Sequence, residues 1–140
     1  KEVKNKNLEE FISTELFSNK QFNSKDIIEN NNFTLINIWS SWCVPCRSEH
    51  AILMSLSKKT DLNIIGLNYK DKKNNAVKFL DELGDPFSQN LIDPDGIISI
   101  SLGAYGVPES ILLNNKSRVI RKYIGPLTSD NISEIIKIIQ

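Results

Sequence analysis

The sequence is poor in residues that build metal sites, with only two cysteines and one histidine among 140 residues. Acidic and basic residues balance at 17 each, so no net charge directs the chain to nucleic acid or an anionic membrane. It shows no glycine-rich phosphate loop, internal repeat or signal peptide, and no apolar run of the ~18 residues that cross a membrane. The length and composition are those of one globular domain, and a hydrophobic content of 40% is enough to form a core.

The two cysteines lie three residues apart, in the segment Trp-Cys-Val-Pro-Cys-Arg at 42–47. Such a pair can close a small ring by disulfide formation and reopen it by passing on two electrons. A domain of this size does not need a disulfide for stability, which favours a redox use over a structural one. The alternative is a metal site formed by Cys43, Cys46 and His50, with Glu49 nearby. Closed zinc sites use four ligands, so this alternative is weaker, and we expect His50 to be a solvated helix residue.

Hydrophobic patterns predict strands that alternate with helices. The predicted elements are strands at 33–39, 62–69, 110–113 and 119–124, the last two forming a hairpin, and helices at 47–59, at 75–83 and from a cap at Ser129 or Asp130 onward. The run at 97–102 fits either a strand, by its alternation, or a helix. The sequence therefore predicts an α/β domain with a mixed sheet over residues 11–140, preceded by a polar arm at residues 1–10.

The position of the cysteine pair, after a buried strand and at a helix start, assigns different roles to the two sulfurs. At a helix N-terminus, free backbone N–H groups and the helix dipole favour a thiolate at Cys43. A thiol with a pKa near 8.5 is about 3% ionised at pH 7, whereas one with a pKa near 7 is half ionised. Pro45 suits the first helical turn, where its missing N–H is not needed. We expect Cys43 to attack and Cys46, more buried and more protonated, to resolve the mixed disulfide.

Three segments together resemble the CcmG/DsbE family, the periplasmic thiol:disulfide reductases of cytochrome c maturation. They are Trp-Cys-Val-Pro-Cys-Arg-Ser-Glu-His at 42–50, Gly-Leu-Asn-Tyr-Lys-Asp at 66–71 and Gly-Ala-Tyr-Gly-Val-Pro-Glu-Ser at 103–110. The likeness covers about residues 33–126. It implies a thioredoxin fold, with a central mixed β-sheet flanked by helices and with N-terminal and central additions. It also favours a helix at 97–102.

The same resemblance assigns further residues to the substrate-binding region. It makes Pro108 a cis-proline that faces the cysteine pair, and X–Pro bonds are the ordinary place for a cis peptide. With Val107 and Pro45, this proline is expected to border the place where an extended substrate pairs with the backbone. Tyr105 is expected to line the groove beside the cysteines, and Trp42 to flank them.

Two acidic residues, Glu49 and Glu109, stand where members of the family carry acids near the active site. Glu49 follows Cys46 by three residues and would share a helix face with it. A carboxylate there can exchange a proton with Cys46 and raise the thiol pKa by charge repulsion. Ordinary thioredoxins carry a buried aspartate six residues before the first cysteine, but here that residue is Asn37. An amide is no proton acceptor, which favours a substitute acid; ordinary surface charge is the alternative for both glutamates.

These features predict a thiol:disulfide oxidoreductase that reduces protein disulfides. By resemblance, its partner is an apocytochrome c or a thiol protein of cytochrome c maturation, and a membrane thiol carrier supplies the electrons. No dissociable cofactor is expected, because the cysteine pair is itself the redox group. The chain has no Cys-x-x-Cys-His, so it is not the haem-bearing protein.

Three alternatives stay open at this point: a general thioredoxin, a disulfide-forming oxidase and a periplasmic metal-binding module. Small differences in redox potential decide the direction of electron flow, and the potential cannot be deduced from the two residues between the cysteines. We expect a periplasmic monomer without a nucleic-acid partner. Because the chain begins at Lys1 rather than Met, we expect a mature or trimmed form, and a membrane anchor preceding it is left open.

Overall fold

A computed structural model of the chain describes residues 6–140. In this part of the chain the elements are β1 (Ile12–Glu15), β2 (Gln21–Asn23), α1 (Ser24–Glu29), β3 (Phe33–Trp39), α2 (Val44–Lys59), β4 (Asn63–Tyr69), α3 (Lys73–Leu83), β5 (Gln89–Asp93), α4 (Ile97–Ser101), β6 (Glu109–Asn114), β7 (Val119–Ile124) and α5 (Ser129–Ile139). Among these elements, no helix combines the length and the apolar character required to cross a membrane.

The strands form one mixed sheet in the order β2-β1-β5-β4-β3-β6-β7. Its centre is parallel, since β4 pairs with β3 on one side and with β5 on the other. The pairs β1–β2, β1–β5, β3–β6 and β6–β7 are antiparallel. The predicted α/β class, the mixed sheet and the β6–β7 hairpin are confirmed. β3 lies where parallel and antiparallel pairing meet, and its carboxyl end leads directly into the cysteine segment.

The sheet buries side chains on both faces, because successive residues of a strand point to opposite sides. Leu35 and Leu112 face one hydrophobic cluster, which α2, α3 and α5 complete. Ile36 and Ile111 face a second cluster, which α1 and α4 help to cover. Each fully buried aliphatic side chain of this size stabilises the fold by about 1.5–3 kcal/mol. This double burial explains why β3, β4 and β6 are nearly continuous apolar runs.

The N-terminal cap of α5 differs from the prediction by one or two residues. Thr128, rather than Ser129 or Asp130, is the cap: its hydroxyl accepts the Asn131 N–H at 3.1 Å, and Asn131 Oδ1 accepts the Thr128 N–H at 3.0 Å. Ser129 and Asp130 are already in the first turn. The reciprocal pair satisfies two amides that a helix N-terminus would otherwise leave unpaired.

The ambiguous run at 97–102 contains helix α4, as the family resemblance implied, and is not a strand. Asp93, fully buried at the end of β5, decides the outcome. Its carboxylate accepts the N–H groups of Ile98 at 3.1 Å and Ser99 at 2.8 Å, together with the Ser99 hydroxyl at 2.6 Å. These bonds satisfy the first amides of a helix, which a strand conformation would leave unpaired.

Four elements have no counterpart among the predicted ones: β1, β2, α1 and β5. The first three precede β3, and the strands among them form one edge of the sheet together with β5. Residues 1–5 of the predicted arm lie outside the described residues. Its continuation contacts the opposite edge, where Leu8 N donates to Ser117 O and Val119 N to Lys6 O, both at 2.7 Å.

Candidate active site

The cysteine pair lies where β3 ends and α2 begins. Cys43 is the N-cap residue of α2, as predicted, and it forms a disulfide with Cys46, with Cα atoms 5.3 Å apart. The Cys46 N–H donates to Cys43 Sγ at 3.2 Å, so an otherwise unpaired amide of the helix N-terminus points at this sulfur. Together with the helix dipole, this contact stabilises negative charge on Cys43 Sγ when the disulfide is reduced.

Both cysteines are nearly fully buried in this oxidised form, with 4% of Cys43 and 2% of Cys46 exposed. In the disulfide state the two sulfurs thus differ little in burial, although Cys46 was expected to be the more buried one. The reason is that both side chains belong to the hydrophobic cluster under α2. The residues around them are open instead: Trp42 is 57% and Val44 76% exposed, and Pro45, in the first turn of α2, is exposed as well.

The loop before Cys43 is held by the loop that follows β4. Asp71 accepts the Ser41 N–H at 2.7 Å and the Ser41 hydroxyl at 2.8 Å. Trp42 Nε1 donates to Lys70 O at 2.9 Å, which holds the indole against the loop after β4. The expected role of Trp42 at the cysteines stays a prediction. Asp71 was not among the predicted site residues, although it closes the second family-like segment, and that position is the signal that points to it.

Glu49 is a buried acid one helical turn after Cys46, and only 1% of it is exposed. Its Oε1 accepts from Asn37 Nδ2 at 3.1 Å, and its Oε2 accepts from Leu127 N at 2.8 Å. Burial raises the pKa of the Glu49 carboxyl above its usual range, although these two hydrogen bonds act in the opposite direction. Glu49 is thus hydrogen-bonded to Asn37, the residue at the position of the thioredoxin aspartate. Its role as a proton acceptor remains a prediction.

Glu109 is also buried, at 2% exposure, but on the other face of the sheet. It shares its side of β6 with Ile111, whereas Ser110, on the opposite side, contacts the Asn37 amide at 3.0 Å. Its Oε2 accepts the N–H groups of Tyr105 at 2.9 Å and Gly106 at 3.2 Å. The structure therefore joins Glu109 to the loop before Pro108 and does not bring its carboxylate to Glu49.

The peptide bond between Val107 and Pro108 is cis, as the resemblance implied. Val107 is half-buried and packs against the cluster that contains both cysteines. Pro108 is buried, and its carbonyl accepts the Gly125 N–H at 2.9 Å. Tyr105, by contrast, is 90% exposed and presents its ring to solvent. The loop thus combines a fixed backbone with an exposed aromatic ring.

His50 is not the solvated helix residue that was expected; it is 2% exposed. Its Nε2 lies 2.7 Å from Gly84 O, and because a carbonyl oxygen only accepts, Nε2 carries the proton. The ring also packs edge-on against Phe79, with centroids 4.9 Å apart. Burial lowers the pKa of the imidazole, despite the opposite effects of the Gly84 hydrogen bond and the Asp85 charge. His50 therefore joins α2 to the end of α3.

This arrangement weakens the metal-site alternative, which required His50 beside the two cysteines. The Nε2 of His50 is committed to a backbone carbonyl. Within residues 6–140, the histidine, cysteine, aspartate and glutamate side chains form no group of three or more that could hold a metal ion.

A Cys-x-x-Cys disulfide at a helix N-terminus, together with a cis-proline that precedes a strand of the same mixed sheet, defines a thioredoxin-fold thiol–disulfide protein. Solved structures agree on the fold. The chain is similar to the thioredoxin domain of a thiol-disulfide oxidoreductase from Bacteroides vulgatus, with a TM-score of 0.82, 15% identity and 100% of both chains covered. It is also similar to a DsbF homologue from Corynebacterium diphtheriae, with a TM-score of 0.79, 24% identity and coverage of 94% and 85%.

Sequence comparison gives the family. Residues 6–139 match the Redoxin family. The chain is 34% identical over 128 residues to the thiol:disulfide interchange protein DsbE of Allochromatium vinosum, covering 91% of this chain and 70% of that protein. It is 46% identical over 101 residues to CycY of Rhizobium leguminosarum bv. viciae, covering 72% and 54%, and 36% identical over 117 residues to DsbE of Escherichia coli K12, covering 84% and 63%. The chain therefore belongs to the Redoxin family and, within it, to the DsbE group; it spans little more than half of the CycY protein.

Proposed function

We propose that the protein is a thiol:disulfide oxidoreductase that reduces disulfides in other proteins during cytochrome c maturation. The observation that carries the proposal is the contact between the Cys46 N–H and Cys43 Sγ at the start of α2. It favours the thiolate at Cys43, the form that attacks disulfides. The buried acid one turn further along α2 supplies a proton acceptor for the second sulfur.

The reaction begins with both cysteines reduced. The Cys43 thiolate attacks one sulfur of the partner disulfide, forming a mixed disulfide and releasing one partner thiolate. The Cys46 thiol then loses its proton, and its sulfur attacks Cys43 Sγ. This step forms the Cys43–Cys46 disulfide and releases the second partner thiolate. In total, two electrons pass to the partner. The two released partner thiolates take up two protons, which balance the one that Cys46 loses during resolution and the one that Cys43 lost to solvent when its thiolate formed.

Glu49 is the group we assign to the Cys46 proton. Burial raises the pKa of the Glu49 carboxyl, so its carboxylate is a stronger base than an ordinary one. Asn37 and Leu127 hold its two oxygens, which fixes the carboxylate relative to α2. Asn37, the amide at the thioredoxin aspartate position, thereby orients the acid that replaces that aspartate.

The partner we propose is an apocytochrome c whose haem-binding cysteines must be reduced before haem attachment, or a maturation protein that carries the same disulfide. The names of the relatives, thiol:disulfide interchange proteins, support the chemistry. Oxidised Cys43–Cys46 would be reduced again by a membrane thiol carrier, with no dissociable cofactor. Such chemistry requires a compartment in which disulfides persist, which in a bacterium is the periplasm. We propose that the protein acts there as a monomer.

Trapping with Cys46→Ser tests the proposal. This variant keeps the attacking sulfur but cannot resolve the adduct, so it should accumulate a mixed disulfide with an oxidised peptide that carries Cys-x-x-Cys-His. Cys43→Ser is the matched control and should form no adduct. Mass spectrometry before and after reduction identifies the linked peptide. If Cys43→Ser traps the peptide and Cys46→Ser does not, the two roles are reversed; if neither does, the proposed substrate is wrong.

The direction of electron flow needs a separate measurement, because an oxidase would use the same two cysteines. Equilibration of the cysteine pair with glutathione redox buffers gives its reduction potential. A value close to that of reducing thioredoxins, about −270 mV, supports a reductant, whereas one near −120 mV indicates a disulfide-forming oxidase.

A further inference from the structure

Lys122, on β7, lies beneath the loop at 103–107, and only 9% of its side chain is exposed. Its Nζ donates to Gly103 O at 2.5 Å and lies 3.6 Å from Glu109 Oε1. The same ammonium lies 5.2 Å from the centroid of the Tyr105 ring, within the range of a cation–π contact. Lysine is seldom buried to this extent without partners, and here its partners all belong to one loop and to the first residue of β6.

Glu109 extends this contact to the loop backbone. Its Oε2 accepts the N–H groups of Tyr105 and Gly106, while its Oε1 accepts no hydrogen bond and has the Lys122 ammonium as its compensating charge. A buried carboxylate without a compensating charge is strongly unfavourable. The loop position therefore depends on an ion pair that is almost entirely removed from solvent.

We propose that Lys122 is a positioning residue for disulfide exchange with protein substrates. It fixes the 103–107 loop, so that the exposed Tyr105 ring and the backbone of Val107 already stand in the place where the partner chain binds beside the cysteines. This inference deepens the proposed function and rests on it. Lys122 itself does not touch the reacting sulfurs.

The proposal predicts that loss of Lys122 affects protein substrates and small disulfides differently. An extended polypeptide must lie along the loop to bring its disulfide to Cys43, so a displaced loop weakens its binding. A small disulfide such as hydroxyethyl disulfide reaches the sulfur without using the loop. Loss of Lys122 should therefore impair reaction with a peptide and leave reaction with the small disulfide unchanged. General damage to the fold would slow both.

The experiment compares Lys122→Met, Lys122→Arg and Lys116→Met in reduced, full-length protein. Lys116 is an exposed residue in the turn between β6 and β7, so its replacement removes the same charge from the same hairpin without altering the loop. The substrates are an oxidised Cys-x-x-Cys-His peptide and hydroxyethyl disulfide. For Lys122→Met we expect kcat/KM with the peptide to fall on the order of 10- to 100-fold, mainly through KM, because small misplacements have effects of this size. Lys122→Arg should restore most of the loss, and Lys116→Met should match the wild type.

Hydrogen exchange at the Tyr105 and Gly106 amides provides a readout that does not depend on activity. Both amides donate to Glu109, so both should exchange faster in Lys122→Met than in the wild type and return towards wild-type rates in Lys122→Arg. Should Lys122→Met not fold, the double variant Lys122→Met/Glu109→Gln removes both charges and should show the same selective defect.

The outcomes distinguish this inference from the proposed function. A wild-type protein that does not reduce the peptide refutes the proposed function, whereas exchange at the two amides still tests whether Lys122 fixes the loop. An unchanged KM in Lys122→Met, an equal loss with the small disulfide, or unchanged amide exchange overturns the role of Lys122.

Discussion

Replacement of Glu49 by glutamine changes one buried ionisable group next to the cysteines and leaves its size almost unaltered. The new amide retains an oxygen for the Leu127 N–H, which Glu49 now binds at 2.8 Å. Its NH₂ group then faces Asn37, whose Oδ1 has no hydrogen-bond partner at present. Asn37 can turn over its side-chain amide to accept from Gln at position 49 and from the Ser110 hydroxyl. The structural cost is therefore about one neutral hydrogen bond, on the order of 1 kcal/mol.

The effect on stability should depend on pH with a definite sign. Because the pKa of Glu49 is raised in the folded protein, the folded state retains its proton when the unfolded state has already lost it. The free energy of unfolding of the wild type then falls as pH rises above the ordinary glutamate value of 4.5, until the folded-state pKa is passed. Within that window the slope of the difference between wild type and Glu49→Gln approaches at most about 1.4 kcal/mol per pH unit.

Urea unfolding at a series of pH values, followed by tryptophan fluorescence, measures this difference. The wild type should be the more stable protein at low pH and should lose its advantage as pH rises. Glu82→Gln, the same change at an exposed position of α3, is the control and should leave the curve parallel to that of the wild type. Parallel curves for the wild type and Glu49→Gln would refute the burial argument.

Kinetics tests the proton-transfer role of Glu49 separately from its burial. If its carboxylate accepts the Cys46 proton, Glu49→Gln should slow resolution of the mixed disulfide by about 100-fold or more, the usual contribution of a general base. Attack by Cys43 should stay near the wild-type rate. Rapid-mixing measurements of adduct formation and decay separate the two steps. Equal decay rates in both proteins would remove Glu49 from the mechanism and leave it a structural role.

Two further predictions concern groups packed around the same helix. The lowered pKa of His50 means that the unfolded state binds a proton first as pH falls below 6.5, so wild-type stability decreases towards acid pH. In His50→Gln this loss of stability towards acid pH should be absent. Urea unfolding from pH 7.5 to 5 measures the difference, and stability curves of the variant and the wild type that run parallel would contradict the prediction. For Gly66→Ala, the new Cβ would lie 2.7 Å from Phe87 Cδ2, so we expect a loss of about 1–3 kcal/mol in unfolding free energy. Gly106→Ala, whose Cβ would meet nothing within 4 Å, is the control, and an equal effect in both variants would refute the packing argument.

The parts of the fold that sequence predicts well are those whose signals are local. β3 and β4 are buried on both faces, so each is a continuous apolar run, and the motif that follows β3 fixes the start of α2. The hairpin of β6 and β7 is equally legible, because two apolar runs flank a polar turn. In each case the segment itself contains the residues that decide its conformation.

The strands β1, β2 and β5 could not be predicted because distant pairing determines them. β1 has four residues and lies between β2 and β5, with Thr14 opposite Ile92 of β5. β5 itself begins with the polar residues Gln89 and Asn90 and shows no clean alternation. Short, partly polar strands of this kind gain their stability from neighbours across the sheet, which the local sequence does not contain.

The candidate site shows the same division between local motif and tertiary context. The cysteine pair and the cis-proline loop are recognisable from adjacent residues, whereas the burial of Glu49 and His50 is not, because charged and polar helix residues usually face solvent. Asn37 provided the one indirect signal, by placing an amide where a thioredoxin has an acid. The structure explains why the acid is missing from this position: Asn37 on β3 donates a hydrogen bond, and Glu49 on α2 provides the carboxylate that accepts it. The acid therefore lies on α2 instead of β3, buried one turn after Cys46, while a neutral amide occupies the centre of the sheet.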